Sequence, residues 1–459
     1  MSDSTVVPGV PELAERPLPA PPRPYHFPAF ARGVLDGGLE VIVAPVHKLP
    51  VVTALLVCDA GAGAEPAGRD GVANLTARAL LEGTTRLDGN ALTERFERLG
   101  AAVSAGADWD AALVGMTVLA PRFGEALPLF AETVLHPAFP DREVERLKAE
   151  RLAELMQLRT EPRGLADEMF ARVLYEASSR YARPEDGDAG PVAALTRADV
   201  ERHHAERYRA GGSTLILVGD LTVEEGMAHA ARVLGAWSGR TPEVPVPDTT
   251  PARRTRSVHL VRRPDAAQSE IRVGHVGLPR AHPDFFPVLV MNAVLGGLFS
   301  SRVNLNLREA HGYTYGAFSG FAWRRGAGPF VVSSAVRSDV TADAAREVLL
   351  EIDRMRGEPV RDDELSLATS YLGGIFPIKY ETTDAIARAL AALVTYDLPM
   401  DYFDHYRDAV RAVTVDDVLR VARAHLHPEL LQLVVVGDAA ALRQPLAAVG
   451  LGDVHEHEP

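Results

Sequence analysis

The stretches LTRADV at 195–200 and LVGD at 217–220 return 218 positions later as VTVDDV at 413–418 and VVGD at 435–438, since 414 − 196 and 437 − 219 give the same offset. Each copy has the pattern of a helix capped by threonine, followed by a β-branched apolar strand that ends in Gly-Asp. The helix segment and the strand segment are repeated at the same offset, with no gap between them. This shared offset predicts that the chain contains two copies of one structural unit.

Weaker similarities extend this repeat toward the N-terminal side of each half. Asp141–Val144 corresponds to Asp362–Leu365, and the apolar run Pro50–Val57 corresponds to Ser269–Val276. Helices and strands occur in mixed order within each half, without strict alternation. This order predicts an α+β fold of two homologous halves, each a mixed or antiparallel sheet with helices packed on one face. The alternative is two unrelated domains that share a common helix–strand motif.

Proline and polar runs divide the chain into five segments. Residues 1–28 hold eight prolines and favour an extended arm that lies on the surface or on a partner. Residues 238–257 interrupt the apolar periodicity and predict a linker between an N-terminal domain, 29–237, and a C-terminal domain, 258–451. Residues 452–459 are expected to be a tail, and its histidines offer at most weak metal binding.

Composition restricts the classes of function. The chain of 459 residues has a net charge of −14, which argues against a nucleic-acid partner because phosphate binding needs a concentrated basic patch. Cys58 is the sole cysteine, so no intrachain disulfide forms, and it is expected to be buried in a strand. The longest apolar stretch, Phe285–Phe299, falls short of the ~20 residues of a membrane span, and no secretory signal is apparent. We therefore expect a soluble, cytoplasmic protein with no membrane partner.

The stretch GVANLTARALLEGT at 71–84 resembles the zinc-binding segment of the pitrilysin/insulinase metallopeptidases, or inverzincins. That family carries H-x-x-E-H within a segment such as GLAHFLEHMLFKGT. Here Asn74 and Arg78 stand at the two histidine positions, and Ala77 stands at the position of the general base. Glu154 falls where the resemblance places the distal glutamate ligand.

These four positions predict a chain without its own metal. Asparagine is a poor zinc ligand, alanine cannot accept a proton, and a charged guanidinium repels a dication. We hypothesise that Arg78 fills the vacated metal position and pairs with Glu154, because an unpaired buried charge would be costly. Alternatively, both are solvated residues on helix faces.

The segment LGGLFSSRVNLNLREAHGYTY at 295–315 is similar to the family pattern L-G-G-G-x-S-S-R-L-x-x-x-L-R-E-x-x-G-x-x-Y. In that family an Arg–Tyr pair from the half opposite the zinc holds the substrate backbone and the developing oxyanion. The resemblance assigns this role to Arg308 and Tyr315; the alternative is that both are scaffold. Small residues permit close backbone approach, so the candidate peptide-docking residues are Gly296, Gly297, Ser300 and Ser301.

The resemblance implies the zinc-free, alpha-type subunit of a two-chain peptidase. Its partner would be a homologous subunit that bears H-x-x-E-H and the zinc, and its substrate would be a peptide. The alternatives are a purely structural subunit like the core proteins of respiratory complexes, a peptide-binding homodimer without turnover and, more remotely, a metal-independent enzyme. The histidine pairs His203–His204 and His425/His427 are interpreted as surface residues.

Overall fold

The computed structural model describes residues 24–458, which form two six-stranded sheets. The first sheet has the order β1-β2-β6-β3-β5-β4, and the second has the order β12-β7-β11-β8-β10-β9. The first sheet contains β1 (Ala31–Val34), β2 (Glu40–Pro45), β3 (Val51–Cys58), β4 (Ala102–Ala107), β5 (Ala112–Leu119) and β6 (Ser213–Gly219). The second contains β7 (Ser257–Arg262), β8 (Gln268–Val276), β9 (Ala317–Phe321), β10 (Pro329–Arg337), β11 (Gln432–Gly437) and β12 (Asp453–His457).

The helices divide between the same two halves. The first half has α1 (Val72–Ala79), α2 (Gly89–Leu99), α3 (Ala120–Leu135), α4 (Asp141–Thr160), α5 (Pro162–Leu174), α6 (Ala189–Ala194), α7 (Arg197–Arg207) and α8 (Val223–Leu234). The second half has α9 (Phe285–Asn292), α10 (Arg302–Asn304), α11 (Thr341–Gly357), α12 (Asp362–Lys379), α13 (Thr383–Thr395), α14 (Tyr402–Arg411), α15 (Val415–His425) and α16 (Ala439–Ala448). Wider π-helical turns continue α9 at Ala293–Gly297 and α10 at Leu305–Ala310.

The internal repeat is confirmed in three dimensions. Thr196 and Thr414 cap α7 and α15, each in a reciprocal capping box with the aspartate three residues later. The strands that follow, β6 and β11, occupy the same third place in their sheets, and four further strands correspond in order. The α+β fold with two homologous halves is therefore the architecture of this chain.

The prediction that residues 452–459 form a tail is wrong, because residues 453–457 form strand β12. It pairs in parallel with β7 along the edge of the second sheet, and His457 lies 3.0 Å from the buried His259, between Nε2 and Nδ1. The backbone groups of β7 would otherwise be an unpaired edge, so pairing holds a polar segment that has no apolar pattern of its own.

A helix from each half covers the sheet of the other half. Helix α5 of the first half packs on β8 and β11, and helix α13 of the second half packs on β3 and β6. Each sheet therefore has its own helices on one face and a helix of the opposite half on the other. Two of the buried apolar clusters therefore contain side chains of both halves.

The N-terminal part of the described chain also meets the opposite half. The first 23 residues of the predicted arm lie outside the described residues, but the side chain of Phe27 stacks on the Phe403 ring of the second half, with the ring centroids 4.6 Å apart.

One helical stretch, Phe285–Ala310, has the length and apolar composition of a membrane span. Most of its apolar side chains pack into the core of the second half, so we interpret it as a core element.

Candidate functional site

Helix α1 holds three positions of the degenerate zinc motif, and a buried ion pair fixes where it begins. Glu65 accepts hydrogen bonds from the backbone N–H groups of Gly71, at 3.0 Å, and Ala73, at 2.8 Å. The same carboxylate pairs with the buried Arg180 at 2.8 Å. Burial of a carboxylate without these partners would be costly, so the pair specifies the position of the helix N-terminus.

Asn74 and Arg78 lie one turn apart on α1 and are half-buried, whereas Ala77 is fully buried. The guanidinium of Arg78 lies 3.6 Å from a Glu154 carboxylate oxygen, within salt-bridge distance. Its nearer partner is Glu150, one turn earlier on α4, at 3.0 Å. The cation is thus shared by two carboxylates.

The surroundings of this cluster are more open than the hypothesis of a buried, neutral pocket requires. The side chains of Arg78, Glu150 and Glu154 are 30%, 42% and 49% exposed. Arg146 also pairs with Glu150, and it reaches Glu82 at 2.7 Å. The carboxylates that face α1 already have guanidinium partners, and neither Asn74 nor Arg78 donates a lone pair suited to zinc. The side chains present do not fit the metal.

The segment that resembles the Arg–Tyr pattern is anchored on the edge strand β9. A Cβ atom on Gly296 would lie 2.4 Å from Ser319 Oγ, so only glycine permits this approach of the helical turn to the strand. Ser319 Oγ lies 2.7 Å from the side-chain oxygen of Asn292, to which it donates a hydrogen bond. Asn304 donates to the Phe299 carbonyl at 2.6 Å and accepts from the Ala317 N–H at 3.0 Å.

Arg308 and Tyr315 both reach the surface beside this anchored segment. The Arg308 guanidinium lies 4.5 Å from the centroid of the Phe299 ring and 3.1 Å from the neighbouring Glu309. Tyr315 is 93% exposed, and its hydroxyl has no hydrogen-bond partner among residues 24–458. No hydrogen bond joins the two side chains in the described part of the chain. Both are therefore available to groups outside the chain.

The four predicted docking residues are placed in two different environments. Gly297 and Ser300 are exposed, whereas Gly296 and Ser301 are buried. The Ser301 hydroxyl is buried without a hydrogen-bond partner among the described residues. An extended peptide on this surface would reach the first pair directly, and the second pair shapes the turn beneath it.

Two contributors to the site were not singled out from the sequence. Arg302 makes two hydrogen bonds to Glu364 on α12, at 2.8 and 2.7 Å, and this pair ties the segment to the body of the second half. Glu150 is the nearer partner of Arg78. Its spacing of four residues before Glu154 places both carboxylates on one face of α4, and that spacing could have indicated it.

Comparison with known proteins adds an independent line of evidence. Residues 41–182 match the family model described as insulinase (peptidase family M16), and residues 194–372 match the model described as the peptidase M16 inactive domain. The chain is 25% identical over 435 residues to an uncharacterized zinc protease of Mycobacterium tuberculosis, an alignment that covers 93% of this chain and 97% of that protein.

Two further similarities are to a subunit of a respiratory complex and to a solved structure of the same family. The chain is 25% identical over 262 residues to subunit 1 of the bovine mitochondrial cytochrome b-c1 complex, which covers 57% of this chain and 54% of that subunit. It superposes on a crystal structure of a peptidase M16 inactive domain from Pseudomonas fluorescens with a TM-score of 0.83 and 28% identity, covering 89% of this chain and 98% of the other.

Proposed function

Because this chain belongs to peptidase family M16, the insulinase family, we propose that it is the non-catalytic, substrate-binding subunit of a two-chain zinc peptidase. The observation that carries the proposal is the contrast between its two motif regions. The zinc positions are occupied by Asn74, Ala77 and an Arg78 that two carboxylates of α4 bind, whereas Tyr315 is exposed and Arg308 is half-buried with only the adjacent, exposed Glu309 as its ion-pair partner among the described residues. The chain supplies one half of a hydrolytic site, and a homologous subunit that bears H-x-x-E-H supplies the other half with its zinc.

Arg308 and Tyr315 stabilise the negative charge that develops on the carbonyl oxygen during peptide hydrolysis. A guanidinium stays charged at neutral pH, and a phenol donates a hydrogen bond without carrying charge. The exposure of Tyr315 supports this role, because an aromatic side chain left open to water is the kind of group that a second chain or a peptide covers.

The peptide is proposed to lie over the exposed surface beside Arg308 and Tyr315. Strand β9 is an edge strand, but the preceding helical segment covers its outer side, because the Ala317 N–H donates to Asn304 and the Ser319 carbonyl accepts from Asn292. The peptide is therefore held by side chains on this surface and does not extend the second sheet at β9. Gly297 and Ser300 are the exposed small residues nearby in sequence that permit close approach.

The test is hydrolysis of a quenched peptide library by this chain alone, by an H-x-x-E-H-bearing homologue alone, and by the two mixed. We expect cleavage only in the mixture. Removing one oxyanion donor costs about 100- to 1,000-fold in kcat, so Arg308→Ala should reduce turnover by that order. Tyr315→Phe should reduce kcat with less effect on KM. Arg337→Ala is the matched control, because Arg337 is an exposed arginine of the same half that pairs with Asp339.

A structural subunit is the second candidate, and the similarity to the bovine cytochrome b-c1 subunit favours it. In that case Arg308→Ala leaves the activity of any assembled complex unchanged, and loss of the chain lowers the amount of complex. Chelator-sensitive cleavage by the chain alone would contradict both candidates. Sedimentation with and without the partner separates them from a peptide-binding homodimer.

A further inference from the structure

A cleft of about 410 Å³ opens in the second half, on the side of α13 that faces away from the first sheet. It lies between α9, α13 and α14, apart from the Arg308–Tyr315 segment. Ligand pockets in proteins commonly have volumes of about 300–1,000 Å³ and apolar walls. Six of its thirteen lining residues are aromatic: Phe285, Trp323, Tyr380, Tyr402, Phe403 and Tyr406.

The cleft exists because the face of α13 that lines it carries three alanines, with Arg388 as the one larger side chain of that helix in the lining. Ala385, Ala389 and Ala392 line it at spacings of four and three residues, which places them on one face of the helix. The opposite face carries larger apolar side chains, including Leu390, that are buried against the first sheet. The same helix is therefore tightly packed on one side and leaves space on the other.

Arg280 supplies a cation without a carboxylate partner. Its guanidinium lies 3.7 Å from the centroid of the Phe285 ring and 5.0 Å from that of Tyr402. It also donates a hydrogen bond to the Tyr402 hydroxyl at 2.8 Å. No carboxylate among residues 24–458 forms a salt bridge with it, whereas Arg388 at the same cleft pairs with Asp384 at 2.9 Å.

We propose that this cleft binds a planar apolar group that carries a carboxylate. The ring would lie between the aromatic walls, where offset and edge-to-face contacts are favourable, and the carboxylate would accept hydrogen bonds from Arg280. Lys379 also lines the cleft and adds a second positive charge. In a chain with a net charge of −14, two cations without carboxylate partners in one aromatic cleft select for an anion.

Two kinds of ligand combine an aromatic ring with a carboxylate in this way: a free aryl carboxylic acid, and a peptide whose C-terminal residue is aromatic. Isothermal titration of the full chain with 2-naphthoate and with acetyl-Gly-Gly-Phe distinguishes them by which binds more tightly. Each is compared with its neutral amide. We expect the better acid to bind at least ~10-fold more tightly than its amide, a difference of about 1.4 kcal/mol.

Three variants locate the site. Arg280→Gln should weaken binding of the acid by about 10-fold or more, and Ala389→Leu should abolish binding of acid and amide because it fills the space between the rings. Arg337→Gln, which removes an exposed arginine that pairs with Asp339 and does not line the cleft, should change affinity less than ~2-fold.

The proposal is overturned if neither acid binds at millimolar concentration, if acid and amide bind equally, or if Ala389→Leu binds like the wild type. Thermal melts establish that each variant is folded. Should Arg280→Gln fail to fold, the acid–amide comparison on the wild-type chain and the Ala389→Leu titration still decide the matter.

Discussion

At the scale of single residues, burial favours the neutral form of two histidines, His203 and His275. His203, interpreted as a surface residue, is buried, and its burial lowers its pKa to about 4. His275 is 2% exposed, and its pKa is lowered to about 4 for the same reason. In the neutral form its Nδ1–H donates to the Val276 carbonyl at 2.8 Å, and its Nε2 accepts from the His427 N–H at 3.1 Å.

His275 should therefore make the protein sensitive to acid. Above pH ~6.5 the group is neutral in both states, and between about 6.5 and 4 only the unfolded chain takes up the proton. The free energy of unfolding of the wild type should then fall by about 1.4 kcal/mol per pH unit from this group alone. His275→Gln cannot titrate, so its stability deficit relative to the wild type should shrink by about 2–3 kcal/mol between pH 7 and 4.5.

Urea denaturation of both proteins at a series of pH values measures this difference. His405→Gln serves as the control, because His405 is an exposed histidine on α14. A deficit for His275→Gln that stays constant with pH would show that His275 is not held neutral in the folded protein.

At the scale of elements, α1 and α4 bring Arg78 within salt-bridge distance of two carboxylates. Asn74 and Arg78 are one turn apart, and Glu150 and Glu154 are one turn apart on the helix opposite. The Arg78 guanidinium makes contacts with these carboxylates of the kind that a metal cation would make. Because the pairs are partly exposed to water, they contribute little to stability, on the order of 1 kcal/mol or less.

The chain should bind zinc when two imidazoles are introduced on α1. Asn74→His with Arg78→His removes the competing cation and leaves Glu154 as the third ligand, and Ala77 need not change because a general base is not a ligand. We expect about one zinc per chain by metal analysis after dialysis, without hydrolysis of peptides. Arg78→His alone should retain little zinc, and adding Glu154→Gln to the double variant should abolish binding. A double variant without zinc would mean that α1 and α4 have moved apart.

At the scale of the whole molecule, the exchange of α5 and α13 makes each half incomplete alone. Without α13, the first sheet exposes the apolar face that includes Leu55 and Ile216, and without α5 the second sheet exposes Val434 and Val436. Phe170 of α5 also lies so close to Gly274 of β8 that a Cβ there would be 2.8 Å from its ring. Buried apolar side chains of both halves therefore meet at the two exchanged helices.

The separated halves, 1–237 and 258–459, should therefore be poorly soluble when expressed alone. Exposed apolar sheet faces of this kind promote aggregation. Co-expression should recover a soluble 1:1 complex, detected by size-exclusion chromatography and by thermal melting as one unit. Two halves that are monomeric and stably folded on their own would contradict the role assigned to the exchanged helices.

The sequence by itself determined the α+β class, the duplication and the family, and it predicts a chain without zinc ligands on α1. Each of these rests on local patterns, since caps such as Thr196 and Thr414, strand periodicity and motif spacing act within a few residues. The tertiary structure alone decided that α5 and α13 exchange sheets, that residues 453–457 pair with β7, that Glu150 rather than Glu154 is nearest to Arg78, and that His203 is buried. These features depend on which surfaces meet after the chain collapses, and contacts between residues distant in sequence leave no local pattern from which they could be inferred.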